Sequence, residues 1–220
     1  MHSHEVLIRK KTGSPSDTVI IAFSGYNDEN RGPQRPFDFH NFLDTHFPHT
    51  DKMFFKDDKR HMYHHGPVGD CVETMVDFIR EEIIGYKTVV LVGVSSGGYA
   101  AILYGSLLDA SHIRVLAFIP QTVLSAKSMT EQNLDSRYAD LLPHLSRSTT
   151  YHVYGDTLRT QQTHVHSFHH CERISILPNI ELIRNRGIYL KRLRDTGELL
   201  QMFQKILRQQ TMNGKEGMNS

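Results

Sequence analysis

The chain of 220 residues has little cysteine, no long apolar run and almost no net charge. Its two cysteines, Cys71 and Cys171, stand far apart and in no motif, so they predict no disulfide framework and favour a reducing compartment. The longest apolar runs, residues 19–23 and 89–94, have the length of strands and are too short to span a bilayer. The first residues contain no apolar segment typical of a secretory signal. We therefore expect a cytoplasmic protein.

The near balance of charge limits the partners. Lysine and arginine number 25 against 24 aspartate and glutamate residues, so the net charge is +1 with neutral histidine. A chain this balanced has no electrostatic footprint for nucleic acid or for a membrane surface. Neither G-x-G-x-x-G nor G-K-S/T occurs, so no nucleotide site is indicated. We expect no cofactor, no nucleic acid and no membrane among the partners. The sequence does not indicate the oligomeric state.

Strand-like and helix-like patterns alternate along the chain. Two β-rich segments, residues 5–10 and 18–23, flank a stretch with Gly, Pro and Asp that is typical of a hairpin turn. A third short strand follows, and then amphipathic segments alternate with apolar runs of strand length. This order predicts an α/β fold, a mostly parallel central sheet with helices on both faces that begins with an antiparallel hairpin. We expect one domain over residues 1–210 and a flexible polar tail over residues 211–220.

Three further segments bear on function. Residues 27–41 have no periodic pattern and predict a long loop after a strand, where α/β proteins hold their sites. Residues 130–143 predict a helix that ends at a proline. Residues 160–174, which contain four histidines, predict another helix.

The sequence GVSSGG at residues 93–98 places a serine between a buried strand and a helix. Gly93-x-Ser95-x-Gly97 follows the apolar run, and small residues follow it. A sharp turn of this kind lifts the serine above the sheet in a strained conformation, and bulky neighbours would clash there. The helix N-terminus beside Ser95 supplies amide donors and the positive end of a dipole for an oxyanion. The alternative is a Rossmann-like or flavodoxin-like turn in which the serine only caps the helix.

With this motif at this place in the strand order, the chain resembles the α/β-hydrolase superfamily over about residues 5–209. The resemblance implies an α/β-hydrolase fold, a serine esterase or related acyl hydrolase with Ser95 as the nucleophile of the elbow, and a small-molecule acyl substrate. It also implies two backbone donors to the oxyanion. One is the N–H of Ser96, and the other is the N–H of Tyr26 or Gly25 in the loop after an early central strand.

The resemblance further implies an acid and then a histidine, both after the serine in the chain. Asp156 is the candidate acid, because it directly follows Gly155 at the end of a predicted strand. The loop after the last strand, where the base is expected, has no histidine, and none of the 15 histidines lies beyond residue 170. Histidines elsewhere are the possible substitutes: His164, His166, His64 and His65. We take His166 as the candidate base.

Two other interpretations stay open. On a helix His166 and His170 would share a face with His169 beside them, and two imidazoles one turn apart can bind Zn²⁺, but no third ligand accompanies them and we expect no metal. A serine without a base is a poor nucleophile. The alternative function is therefore a non-catalytic pseudo-hydrolase used for binding or assembly. The favoured function is a serine hydrolase that cleaves an ester or thioester with Ser95, Asp156 and His166.

Overall fold

Seven strands form one sheet in the part of the chain that the computed structural model describes, residues 7–13, 15–25, 37–65, 68–161 and 164–208. The strands are β1 (Leu7–Lys10), β2 (Thr18–Phe23), β3 (Asp51–Phe55), β4 (Thr88–Val94), β5 (Ile113–Phe118), β6 (Thr150–Asp156) and β7 (Ile180–Asn185). Their order in the sheet is β1-β3-β2-β4-β5-β6-β7. Strand β1 runs antiparallel to β3, and the other neighbours are parallel. This sheet confirms the predicted α/β class.

Helices pack on both faces of the sheet. They are α1 (His40–His46), α2 (Val72–Glu82), α3 (Ser96–Leu108), α4 (Ala126–Glu131), α5 (Phe168–Ile174), α6 (Leu190–Asp195) and α7 (Glu198–Arg208), with two 3₁₀ turns at Ser136–Tyr138 and Leu142–His144. Helices α2, α3 and α5 bury side chains in one core, and α1, α6 and α7 bury theirs in the other. Among the described residues, no helix is both long and apolar enough to cross a membrane.

Strands β2 and β4, at the centre of the sheet, are apolar beyond their first residue because both of their faces are covered. In β2, Val19, Ile21 and Phe23 belong to the first core, and Ile20 and Ala22 belong to the second. A strand buried on both sides has no polar face, so its sequence does not alternate. The same reason explains the continuous apolar run of β4, which lies next to β2.

The predicted antiparallel hairpin at the start of the chain was wrong. Strand β1 pairs with β3, with Ile8 opposite Phe54, and β3 separates β1 from β2. The fully buried β2 needs a strand on each side, whereas the partly exposed β1 takes the edge. Helix α1 begins at His40, within the last two residues of the segment predicted to be a loop, and residues 27–36 of that segment lie outside the described residues. Its first turn has no side-chain cap, and the burial of Phe42 and Leu43 holds it against the sheet.

Two helices predicted from periodicity are shorter in the structure. Residues 130–143 contain only the end of α4 and the two 3₁₀ turns, because the backbone of Asn133 is left-handed (φ 48°) and breaks the helix. In the histidine-rich segment only α5 is helical, and the Ser167 side chain caps its start. The histidines that precede Ser167 therefore lie in a turn. The predicted domain end at residue 210 and the tail over 211–220 lie outside the described residues.

Candidate active site

Ser95 stands in a strained turn between β4 and α3. Its φ of 56° and ψ of −118° lie in a region that non-glycine residues rarely adopt. The backbone is fixed on both sides, because Ser95 N–H donates to the carbonyl of Phe118 at 2.9 Å and Tyr99 N–H donates to the carbonyl of Ser95 at 2.9 Å. Such strain persists only where the surroundings determine it. The turn therefore holds the serine hydroxyl at the carboxyl edge of the sheet.

Two glycines make this turn sterically feasible. A Cβ atom on Gly93 would lie 2.0 Å from the carbonyl oxygen of Gly97. A Cβ atom on Gly97 would lie 2.1 Å from the carbonyl oxygen of Phe23 in β2. Both distances are far inside van der Waals contact with backbone atoms that cannot move independently. The spacing of the two glycines in the sequence is thus required by the close approach of α3 to the sheet.

The nearest polar partner of Ser95 is His166. Its Nε2 lies 2.7 Å from the Oγ of Ser95, and its backbone N–H donates to Nδ1 of His164 at 3.0 Å. Burial lowers the pKa of His166 to about 4, and the positive charge of Arg159 acts in the same direction. The imidazole is therefore neutral at pH 7, and an unprotonated Nε2 can accept the serine proton.

Asp156 lies near this pair but does not hydrogen-bond to it. Its carboxylate accepts bonds from the N–H of Gly187 at 2.8 Å, the N–H of Leu158 at 3.0 Å and Nε of Arg159 at 3.3 Å. Burial favours a raised pKa, but these donors outweigh it and hold the pKa of Asp156 below its usual value. Within the described ranges, no carboxylate accepts a bond from the His166 ring. The structure thus joins Ser95 and His166 and leaves Asp156 bound to other donors.

The three other candidate bases are occupied elsewhere; His164 contacts Arg159 and the backbone N–H of His166. The buried His64 has Nε2 at 2.6 Å from the hydroxyl of Tyr99, and its Nδ1 accepts the N–H of Asp135 at 3.0 Å. Both ring nitrogens of His65 lie 2.8 Å from backbone carbonyl oxygens. These contacts brace the loop after β3 against α3 and the segment after α4. Neither ring contacts Ser95.

The prediction that His166 and His170 share one face of a helix, as a pair of zinc ligands would, was wrong. Because α5 begins after His166, that residue and His170 do not share a helix face. Nδ1 of His170 accepts the N–H of Thr122 at 3.2 Å, and His169 lies beside Glu172. The described part of the chain contains no group of three His, Cys, Asp or Glu side chains arranged to hold a metal ion.

One of the two predicted oxyanion donors is available. Ser96 is the first residue of α3, so its N–H has no partner within the helix. The N–H of Gly25 donates instead to the carboxylate of Asp38 at 2.9 Å, so Gly25 is not free to serve. Tyr26, the other candidate, lies outside the described residues.

A cavity of about 370 Å³ opens beside the Ser95–His166 pair. Apolar and amide side chains both contribute to its wall, which is lined by Met62, Gln121, Leu124, Ser128, Gln132 and Val165 together with Ser95, Ser96 and His166. Gln121 enters this wall from the segment that follows β5. Met62 and Val165 carried no sequence signal, because they enter the site through the turns after β3 and β6.

Comparison with solved structures places this architecture among the α/β-hydrolases. Esterase 2 of Thermogutta terrifontis superposes with a TM-score of 0.53 and 15% identity over 90% of this chain and 89% of its own. FphF, a fluorophosphonate-binding serine hydrolase of Staphylococcus aureus, superposes with a TM-score of 0.51 and 14% identity over 80% and 78%. The capsule O-acetyltransferase of Neisseria meningitidis serogroup A, solved with CoA, superposes with a TM-score of 0.63 and 14% identity over 90% of each chain. The chain has the α/β-hydrolase fold.

Comparisons of sequence add no relative. No protein-family model matches the chain. No curated protein matches it either.

Proposed function

We propose that this protein is a serine acyl hydrolase that cleaves an ester or a thioester. The observation that carries the proposal is the 2.7 Å contact between Ser95 Oγ and His166 Nε2 in a strained elbow. That distance is within the reach needed for a general base to take a proton from a nucleophile. The adjacent cavity gives room for an acyl group.

The proposed chemistry follows from these positions. His166 accepts the hydroxyl proton while Ser95 Oγ attacks the acyl carbonyl carbon, and the carbonyl oxygen becomes an oxyanion. The N–H of Ser96 and the N-terminal end of α3 stabilise that charge. The imidazolium then gives its proton to the departing alcohol or thiol, which leaves an acyl group on Ser95. Water, activated by His166, releases the acid and restores the serine.

Transfer to an alcohol is a natural variant of the last step. An acceptor hydroxyl takes the place of water and becomes the ester oxygen of the product. Capsule O-acetyltransferases are among the solved structures that share the fold. The assay of acyl-enzyme breakdown should therefore include an added alcohol, with the ester product measured beside the free acid.

A fluorophosphonate probe tests the proposal directly. We expect the probe to label wild-type protein on Ser95, as located by peptide mass spectrometry, and not to label Ser95→Ala. Ser148→Ala removes an exposed hydroxyl at the other edge of the sheet and serves as the matched control, which should be labelled like wild type. His166→Gln should slow labelling by about 10² to 10⁴. Wild-type protein that resists the probe between pH 6 and 9 contradicts the proposal.

One observation favours a second candidate, a non-catalytic binding or assembly protein. Among the described residues, His166 has no carboxylate partner of the kind that orients a catalytic histidine, because Asp156 is bound to Gly187, Leu158 and Arg159 instead. A histidine without such a partner stabilises its own protonated form less well. The same labelling experiment separates the two candidates, since a non-catalytic protein leaves Ser95 unmodified.

A further inference from the structure

The guanidinium of Arg159 lies between the carboxylate of Asp156 and the histidines of the site. Its Nε donates to Asp156 at 3.3 Å, and its Nη1 lies 3.2 Å from Nε2 of His164. The Arg159 side chain is 30% exposed, so the group is neither buried nor free in solvent. Its charge is the largest electrostatic influence on His166 after burial itself. Arg159 is therefore part of the surroundings of the reacting pair.

His164 cannot accept both of the bonds offered to it. A neutral imidazole has one N–H and one lone pair. Its Nδ1 faces the backbone N–H of His166, and its Nε2 faces the N–H of Arg159. Since only one ring nitrogen can accept, the other carries a hydrogen that faces a second N–H donor. The backbone N–H of His166 is fixed in a turn, whereas the arginine side chain can turn away. The Arg159 contact, at 3.2 Å against 3.0 Å, is therefore the weaker of the two.

Apart from this contact of Nη1 with His164, the terminal nitrogens of the guanidinium have no acceptor among the residues that the structure describes. Arginine has five N–H donors in a planar fork that matches the oxygens of a carboxylate or a phosphate. Only Nε of Arg159 reaches a carboxylate here, and at 3.3 Å. Nη2 has no acceptor among the described residues, so it is the nitrogen that remains for a group on a ligand.

Arg159 lies on the same side of the site as His166, and this position determines which part of a substrate it contacts. The base returns its proton to the leaving group, so the leaving group lies against His166. The nearby positive charge opposes protonation of His166, and an anion on the guanidinium removes this opposition. An anionic leaving group would thus improve both binding and proton transfer.

We propose that Arg159 binds an anionic oxygen group, a carboxylate or a phosphate, in the leaving group of the ester or thioester. This inference rests on the proposed function and names the substrate class of that site. Three acetate esters test it: phenyl acetate, 4-acetoxybenzoate and 4-acetoxyphenyl phosphate. The first is neutral, and the other two place a carboxylate and a phosphate on the leaving phenol.

The measurement is kcat/KM for each ester with wild type and with Arg159→Gln, so that the intrinsic reactivity of each ester cancels in the ratio. We expect the loss on at least one anionic ester to exceed the loss on phenyl acetate by about ten- to a hundredfold. The arm that responds distinguishes a carboxylate from a phosphate. Arg159→Lys, which keeps the charge, should recover part of the difference, and Arg147→Gln, an exposed site before β6, should show none.

A binding measurement covers the case of no turnover. The three esters are titrated calorimetrically into Ser95→Ala protein and into the same protein with Arg159→Gln. Tenfold or greater weakening of an anionic ester alone supports the inference even in a non-catalytic protein. Equal ratios for all three esters, or equal affinities in the two proteins, overturn it. Failure of the proposed function is recognised separately, because it appears as absent fluorophosphonate labelling.

Discussion

Lowering the pH from 8 to 5.5 should leave the reactivity of Ser95 almost unchanged. The base must be neutral to accept the serine proton, and a lowered pKa keeps the neutral form present at lower pH. With the pKa of His166 at about 4, about 97% of the imidazole is neutral at pH 5.5. A histidine with the ordinary pKa of about 6.5 would be about 9% neutral at that pH. The two cases differ by about tenfold in rate.

The assay is the second-order rate constant of fluorophosphonate labelling between pH 4 and 8. This rate reports the free enzyme and needs no knowledge of the substrate. The chain has no tryptophan, so far-ultraviolet circular dichroism at each pH establishes that the protein is folded. We expect a plateau from pH 8 to about 5 and a fall only near pH 4.

Arg159→Gln supplies an internal check on the cause of the shift. Removing the guanidinium removes a positive charge that lowers the pKa of His166, so the fall should move to higher pH. Arg147→Gln removes the same charge from an exposed site before β6 and should leave the profile in place. A wild-type rate that halves near pH 6.5, or falls about tenfold by pH 5.5, refutes the assignment of the buried His166 as base.

Three further predictions concern the scaffold of the site. Gly97→Ala should destabilise the fold by at least about 3 kcal/mol in urea unfolding, because its Cβ would lie 2.1 Å from a carbonyl oxygen of β2. Gly13→Ala is the control, and it should change stability little because no atom lies within 4 Å of the added Cβ. Burial lowers the pKa of His64 to about 4, so between pH 7 and 5 the unfolded chain binds a proton that the folded chain does not. The free energy of unfolding should therefore fall by about 2 kcal/mol over this range. His64→Asn should abolish this loss, and His46→Asn, at an exposed site, should not. Asp156→Asn should lower the labelling rate by less than about tenfold, since no described bond joins it to the base; a loss near 10⁴ would show that Asp156 acts as the acid of a full triad.

The strained turn at Ser95 was accessible from sequence because its requirements are local. A buried strand, a serine between two glycines and a helix of small residues follow one another without interruption. Gly93 and Gly97 are required by contacts within the turn and with β2, so their spacing shows directly in the sequence. The parallel sheet was predicted for a similar reason, because strands buried on both faces have continuous apolar runs.

The parts that failed depend on contacts between distant segments. Nothing in the sequence of β1 indicates that β3 will pair with it, because the choice follows from the greater burial of β2. Helix α1 has no capping signal and forms through burial of its apolar face. The contacts of Arg159 have no motif, because they arise from the path of the turn after β6. Its position was therefore missed from sequence.

The location of His166, the proposed base, follows from the order of strands in the sheet. Strand β5 lies between β4 and β6, and the N–H of Ile119 beyond β5 donates to the carbonyl of Tyr154 in β6 at 2.8 Å. The turn after β6 therefore opens at the same edge as Ser95. Two backbone bonds shape this turn, from Phe168 N–H to Arg159 at 2.7 Å and from Ser167 N–H to His164 at 2.8 Å.

One short segment thus supplies the proposed base, the neighbouring carboxylate and the guanidinium. In the α/β-hydrolase superfamily, which the sequence resembles, the acid and the histidine come from separate loops and meet across the site. Here Asp156 and His166 are ten positions apart in one segment, so movement of that segment changes both together. When Arg159 moves away, only Oδ2 of Asp156 loses its donor, because the N–H groups of Gly187 and Leu158 still hold Oδ1.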